Sequence, residues 1–170
     1  MVDKSEIAFV ALGSNQGDSA QIIHHAMAQL ANLSARPILK SSLWQTSPVD
    51  CPPGSPPFVN AVVGLTPRAT ETPESLLTKL QSLEREFGRR PKQVVNEARP
   101  LDLDLVTFGS ETRATATLTL PHPRAHLRRF VLQPLNEIAP SLVLPGLNRS
   151  VATLLGALPA GEHVVRLPRG

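Results

Sequence analysis

Two aspartates two positions apart, Asp102 and Asp104, lie within the stretch Arg99 to Gly109, RPLDLDLVTFG. Leu101, Leu103 and Leu105 alternate with them, and Gly109 with Ser110 ends the run. The segment therefore reads as a half-buried β-strand whose two aspartates share one face. Side chains two apart on a strand sit roughly 6.6 Å from each other, where two ionised carboxylates repel by about 2.5 kcal/mol at an effective dielectric of ~20. That repulsion calls for a cation between them. Hard carboxylate oxygens suit Mg²⁺, which takes one or two protein carboxylates and completes its octahedron with water and phosphate oxygens. The plainer alternative is a strand with a wet outer face. Asp is a poor strand former, and two of them among leucines with Arg99 just upstream speak against it.

The surrounding charge fits an anionic ligand. The net charge is only +3, but Arg85, Arg89, Arg90, Lys92 and Arg99 precede the aspartates and Arg124, Arg128 and Arg129 follow them. Such a field attracts a nucleotide or a nucleic acid. Paired aspartates would repel a nucleic-acid backbone unless a metal intervened. The single cysteine, Cys51, cannot form an intramolecular disulfide, and the apolar run Ile7 to Leu12 is too short for a signal-peptide core. A soluble cytoplasmic protein is expected, and 170 residues suit one domain with a substantial core.

The elements that must position these groups follow from the apolar pattern. Ile7 to Leu12 reads as a largely buried strand from which Gly13-Ser14-Asn15 turns out, and Asp18 caps a helix with apolar positions Ile22, Ala26, Met27, Leu30 and Leu33. His24 and His25 read as solvated helix residues. Leu39 to Thr46 alternates as one second strand, and Ser47 to Pro57, with five prolines, is a loop. Phe58 to Thr66 is a third strand with Phe58, Asn60 and Val62 on one face. Thr72-Pro73 starts a second helix buried through Leu76, Leu80, Leu83 and Phe87 and ended by Gly88. By spacing alone Glu84 reads as an exposed helix carboxylate. Arg89 to Ala98 is a charged loop, Thr115 to Leu120 a short strand, Phe130 to Ile138 a helix interrupted by Pro134, and Ser150 caps an apolar helix to Leu158. His122, between two prolines, is held out of regular structure.

The order strand, helix, strand, strand, helix, strand predicts an α+β fold with a ferredoxin-like βαββαβ core and an antiparallel sheet. Extra C-terminal elements would cover its other face, giving an αβα three-layer arrangement. The expected organisation is one domain over 1–160 with a frayed tail at 161–170.

At this point the residues match a known family. FVALGSNQGD from Phe9, FVNAVV from Phe58, LEREFGR from Leu83, ARPLDLDLVTFG from Ala98 and LPHPRAHLRRFVLQPLNEIAP from Leu120 together resemble 6-hydroxymethyl-7,8-dihydropterin pyrophosphokinase over nearly the whole chain. The resemblance implies transfer of the β,γ-pyrophosphoryl unit of ATP to the pterin hydroxymethyl oxygen with release of AMP, in folate biosynthesis. It implies that Asp102 and Asp104 hold two Mg²⁺ ions, with Asp102 also near the pterin, and that Arg89 and Arg99 act on the moving phosphates. Glu84, Leu105, Thr119, His122 and Arg128 join those arginines in binding ATP. Thr46, Val49, Phe58, Asn60 and Phe130 form the pterin pocket, with Phe58 and Phe130 sandwiching the ring and Asn60 reading its edge. The loops at 47–57 and 89–98 correspond to lids that close over MgATP. The partners implied are small molecules, with no nucleic acid or membrane, and the protein is expected to be a monomer.

Three positions depart from a common form of the pattern: Pro91 stands where the family often has a second arginine, Asn96 where some members carry a tryptophan, and Pro123 where some place an aromatic. Two other functions compete with the kinase. A ferredoxin-like RNA-binding module would need exposed aromatics on its central strands, where only Phe9 stands in the first. Another Mg²⁺-dependent nucleotide or sugar transferase could also use an Asp-x-Asp pair.

Overall fold

A computed structural model describes residues 6–46, 57–88, 100–160 and 163–168. Among the described residues there are eight strands: β1 (Ala8–Ser14), β2 (Leu39–Lys40), β3 (Trp44–Thr46), β4 (Phe58–Leu65), β5 (Asp102–Phe108), β6 (Arg113–Ala114), β7 (Thr119–Leu120) and β8 (Val164–Arg166). The helices are α1 (Ser19–Ala31), α2 (Pro73–Glu86), α3 (Arg129–Ile138) and α4 (Val151–Gly156). The main sheet runs β5-β1-β4-β3-β8, with β2 also on β4, and every pairing is antiparallel. With β2 and β3 together as the second strand, this is the ferredoxin-like order expected from the sequence.

Alternation along the central strands divides the core into two layers. Ala8, Val10 and Leu12 of β1, Val59, Ala61 and Val63 of β4, and Leu103 and Leu105 of β5 pack with α1 and α2 through Ile23, Met27, Leu30, Leu76 and Leu80. Phe9, Ala11, Val62 and Val106 pack on the opposite face with α3 and α4 through Val131, Leu132, Leu135 and Val151. Burying a large aliphatic or aromatic side chain is worth about 1.5–3 kcal/mol, so each layer fixes the sheet from its own side.

The helices begin where their caps dictate. The Asp18 carboxylate accepts from Gln21 N (3.3 Å). Thr72 and Ser75 cap α2 reciprocally at 2.9 and 3.0 Å, and Gly88 at φ +90° ends it in a conformation that glycine adopts without penalty. Within α3, Pro134 forgoes its bond to the Phe130 carbonyl but fills the buried side of the helix.

Five sequence expectations are corrected. The first strand does not end at Leu12: β1 continues through Gly13 and Ser14, which pair with β4 opposite Asn60 and Val59. Leu39 to Thr46 is two strands, because Ser41 lies opposite Val62 and Trp44 opposite Asn60, leaving an extra residue at the Ser42–Leu43 step. That bulge turns Leu39 and Leu43 toward different core layers. Thr115 to Leu120 contributes only β7, which closes a small ribbon with β6. The last helix stops at Gly156, two residues short of Leu158. Residues 161–170, expected to fray, contain β8, whose Val165 and Val164 pair with Gln45 and Thr46; an exposed three-residue strand without alternation of burial gives almost no signal in sequence.

Gly64 marks the tightest approach within the sheet. A Cβ there would lie 2.9 Å from Ile7 Cγ2 and 3.1 Å from Phe9 Cε1. Gly64→Ala is expected to destabilise the fold by about 1–3 kcal/mol through overpacking, read as a lower denaturation midpoint with an unchanged m-value; a midpoint equal to wild type would show that Phe9 can withdraw freely.

Candidate functional site

The site forms on the α3 face of the sheet because of how β1 is registered between its neighbours. Gly13 pairs with Asp102 on one side and Asn60 on the other, and Ala11 pairs with Asp104 on β5 and Val62 on β4. Ala11 and Val62 belong to the α3 layer. Directly opposed residues share a face, so Asp102, Asp104 and Asn60 all point to that side, as do Phe58 and Trp44. Both aspartates are half-buried. Strands about 4.8 Å apart put Asp102 and Asn60 roughly 10 Å from each other across Gly13.

Gly13 matters here for its missing side chain. A Cβ would lie 3.1 Å from Asn60 Nδ2, tight enough that the amide would have to move. The opposite end of that amide is fixed: Thr46 Oγ1 donates to Asn60 Oδ1 at 3.1 Å within the buried layer. The Asn60 NH₂, with two donors, is thereby turned toward Gly13 and the aspartate strand.

Among the described residues no strand pairs with the outer edge of β5, and two of the candidate residues occupy it. Glu84 Oε2 accepts from Leu103 N at 2.8 Å, between the aspartates in sequence, and Glu84 is 8% exposed. The exposed carboxylate expected from helix spacing is thus a buried one. The reason is tertiary: α2 lies against β5, and the Glu84 carboxylate on it takes up the Leu103 amide. Further along, His122 N donates to the Val106 carbonyl at 2.8 Å, drawing the Pro121-His122-Pro123 segment alongside β5. Val106 follows the aspartates onto the α3 side by alternation, and as an extra residue in the β1 pairing it leaves Phe9 facing Thr107 while Val10 faces Leu105.

His122 is held neutral by its surroundings. Burial depresses its pKa below the ordinary 6.5, and Arg128 and then Arg124 depress it further, while Asp102 opposes them. Its Nδ1 accepts from Arg124 N at 3.1 Å, which leaves Nε2 to carry the proton. The same effects place Asp102, Arg124 and Arg128 close enough to act on the His122 imidazole. Arg128 also lies over the ring of Phe130, its Cζ 5.5 Å from the centroid, and Phe130 packs at the margin of the α3 layer.

The structure therefore gathers Asp102, Asp104, Asn60, Thr46, Phe58, Phe130, His122 and Arg128 on or beside one face. Leu105 differs: its side chain is buried in the opposite layer, so only its backbone can take part. Thr119 is exposed on β7. Val49, Arg89 and Arg99 lie outside the described residues, as do both expected lids apart from Pro57. Sequence reasoning missed Gly13, read as a turn residue, and Glu137, whose role depends on contacts 93 and 95 residues away. The alternation of β1 does mark Gly13 as an in-strand position on the Phe9 and Ala11 face. Phe9 itself is fully buried, which leaves an RNA-binding module without its central aromatic.

An α+β sandwich with paired carboxylates and neighbouring arginines on one sheet face is the framework of a metal-dependent enzyme acting on phosphates. The family model for 7,8-dihydro-6-hydroxymethylpterin-pyrophosphokinase matches residues 9–140. The chain is 36% identical over 161 residues to the 2-amino-4-hydroxy-6-hydroxymethyldihydropteridine pyrophosphokinase of Haemophilus influenzae, covering 94% of this chain and 97% of that protein. It is 37% identical over 161 residues to the Pseudomonas aeruginosa protein of the same name, covering 94% and 96%. The Plasmodium falciparum HPPK-DHPS crystal structure with pteroate superposes on 88% of this chain with a TM-score of 0.68 at 15% identity, and this chain spans 42% of that larger one. The protein belongs to the 7,8-dihydro-6-hydroxymethylpterin-pyrophosphokinase family, a family of transferases in folate biosynthesis. Among the described residues, no helix is long and apolar enough to cross a membrane.

In the metal-free protein the His122 imidazole is expected to titrate below 6.5 by NMR. Removing the carboxylate charge with Asp102→Asn should move the midpoint lower still, since Asp102 is the one group raising it. Because the folded pKa is depressed, His122 contributes stability that is present above 6.5 and lost as pH falls through the folded value. An upward shift in the variant would mean that Asp102 does not face the ring.

Proposed function

We propose that this chain transfers the β,γ-pyrophosphoryl group of MgATP to the hydroxymethyl oxygen of 6-hydroxymethyl-7,8-dihydropterin. The hydroxymethyl oxygen bonds to the β-phosphorus, the bridge between the α- and β-phosphates breaks, AMP leaves with the bridging electron pair, and the hydroxyl proton is lost to solvent. The observation that carries this reading is the row Asp102, Gly13, Asn60 across three neighbouring strands. It offers a ring-reading amide and a metal-binding carboxylate about 10 Å apart with no side chain between them.

The donor set suits the ions that such chemistry uses. Asp102 and Asp104 are two carboxylates on one face, and among the described residues no third His, Cys, Asp or Glu completes a cage. That leaves coordination positions for phosphate oxygens and water, the manner in which Mg²⁺ binds nucleotides. Two Mg²⁺ ions held there would neutralise the phosphate chain and acidify the attacking hydroxyl. The protein's own contribution is positioning. Asn60, oriented by Thr46, hydrogen-bonds the edge of the heterocycle, and Phe58 and Phe130 cover its faces. His122 donates from Nε2, and Arg128 beside it adds positive charge for the nucleotide. Arg89 and Arg99 stabilise the transferring phosphates, Glu84 and Thr119 border the nucleotide, and Val49 closes the pterin side. The Leu105 backbone offers the nucleotide a hydrogen bond. We take the enzyme as a cytoplasmic monomer in which residues 1–160 form one catalytic domain.

Incubation with MgATP and the pterin is expected to yield AMP and a pterin diphosphate; ADP with a pterin monophosphate would reject pyrophosphoryl transfer. Asp102→Asn and Asp104→Asn should each lower kcat on the order of a hundredfold or more with circular dichroism unchanged, and wild-type turnover at saturating Mg²⁺ in either would remove the aspartates from the reaction. Gly13→Ala, by displacing the Asn60 amide, should raise the pterin KM about tenfold and leave the ATP KM alone. A rise in both constants would instead report a misfolded sheet.

A further inference from the structure

On the far side of the site from the aspartates, one carboxylate ties α3 to the Ser42–Trp44 segment through three hydrogen bonds. Glu137 Oε1 accepts from Ser42 N at 2.9 Å and from Trp44 Nε1 at 3.1 Å, while Oε2 accepts from Ser42 Oγ at 2.6 Å. Partial burial works to raise the Glu137 pKa, but the Ser42 and Trp44 hydrogen bonds and Arg166 outweigh it, so the group stays ionised. Arg166 belongs to β8 and pairs directly opposite Trp44. The residue lies on α3, seven positions after Phe130, which puts both near the same side of the helix and about 10.5 Å apart. Trp44 is opposite Asn60, and Thr46, two residues on, supplies the hydroxyl that orients the Asn60 amide.

We infer that Glu137 is a positioning residue for the pterin pocket, clamping the bulged strand that carries Thr46 to the helix that carries Phe130. The bulge at Ser42 interrupts the ladder to β4 between β2 and β3, and although β3 pairs with β4 on one side and β8 on the other, each pairing is three residues long and neither includes Ser42. The carboxylate replaces what the ladder loses by taking the Ser42 amide and hydroxyl. In doing so it sets the distance between the amide that reads one edge of the ring and the phenyl group that covers its face. The clamp is at the β3 side of the sheet, three strands and roughly 14 Å from β5. Its loss therefore acts on the pterin and spares the nucleotide.

The inference rests on the pterin reading of the site, and the experiment separates the two. Glu137→Ala removes all three acceptor contacts, whereas Glu137→Gln keeps Oε1 for Ser42 N and Trp44 Nε1 and lets its NH₂ donate to the Ser42 hydroxyl. Steady-state kinetics of Glu137→Ala are expected to show a pterin KM raised about tenfold, with kcat and the ATP KM within about twofold of wild type. Glu137→Gln should return the pterin KM to within about threefold. Trp44 is the only tryptophan in the chain, so its emission should shift in Glu137→Ala and stay close to wild type in Glu137→Gln. A shifted emission with an unchanged pterin KM would overturn the inference, leaving Glu137 as a local cap on the bulge. So would a Gln variant as impaired as the Ala variant. If Glu137→Ala fails to fold, Trp44→Phe, which removes one of the three bonds, should raise the pterin KM by a smaller factor, and no rise would be equally decisive against it. Wild-type protein that forms no pterin diphosphate would remove the reading of the site, and this inference with it, while the emission difference persisted.

Discussion

The register of β1 between β4 and β5 is the constraint on which everything else depends. Because Gly13 lies opposite both Asn60 and Asp102, a hydrogen-bonding amide and a carboxylate from strands far apart in sequence face the same side of the sheet. Side chains alternate with a period of two, so a slip of one residue in either pairing would send one of them into the opposite layer. Such a slip would also take Phe9 and Val62 out of the α3 layer or Val10 and Val63 out of the other. The hydrophobic core and the site are therefore fixed by the same register, and a sequence that buries its apolar residues correctly has no freedom to misplace the polar ones.

The open edge of β5 is the second consequence of this arrangement. An edge strand needs partners for its amides and carbonyls, and among the described residues they come from Glu84 and His122 instead of another strand. Each group thereby gains a structural attachment and a fixed position beside the aspartates. Burial is tolerable for Glu84 because the Leu103 amide is hydrogen-bonded to it, and for His122 because it remains neutral next to Arg128 and Arg124. A concentration of positive charge opposite two carboxylates is what a metal-bound polyphosphate requires, since its oxygens are shared between metal ions and guanidinium groups.

The elements after β5 convert a two-layer fold into a site. Without α3 and α4, the face carrying Asp102, Asp104 and Asn60 would expose Phe9, Ala11, Val62 and Val106 to water. The helices cover that apolar part, with Phe130 and Arg128 at the margin next to the polar residues. Glu137, two turns along the same helix, reaches back to Ser42 and Trp44 and holds the covering layer to the sheet at its other side. Packing of the third layer and shaping of the pocket are in this sense one event.

The sequence alone determined the local chemistry. The alternation in LDLDL put both aspartates on one face, Thr72-Pro73 and Asp18 placed the helix starts, and the element order led to the ferredoxin-like sheet, because period and capping depend on neighbours within a few residues. Motif resemblance added the family, which the comparisons with known proteins bear out. Only the tertiary structure decided that Glu84 is buried against Leu103, that Gly13 is a gap in the strand face and not a turn, that the strand before Ser47 breaks at a bulge, and that Val164–Arg166 joins the sheet. Each of those depends on a partner tens of residues away. Helical periodicity makes an exposed and a strand-capping glutamate look alike, and a glycine carries no side chain to announce which neighbours it lets approach.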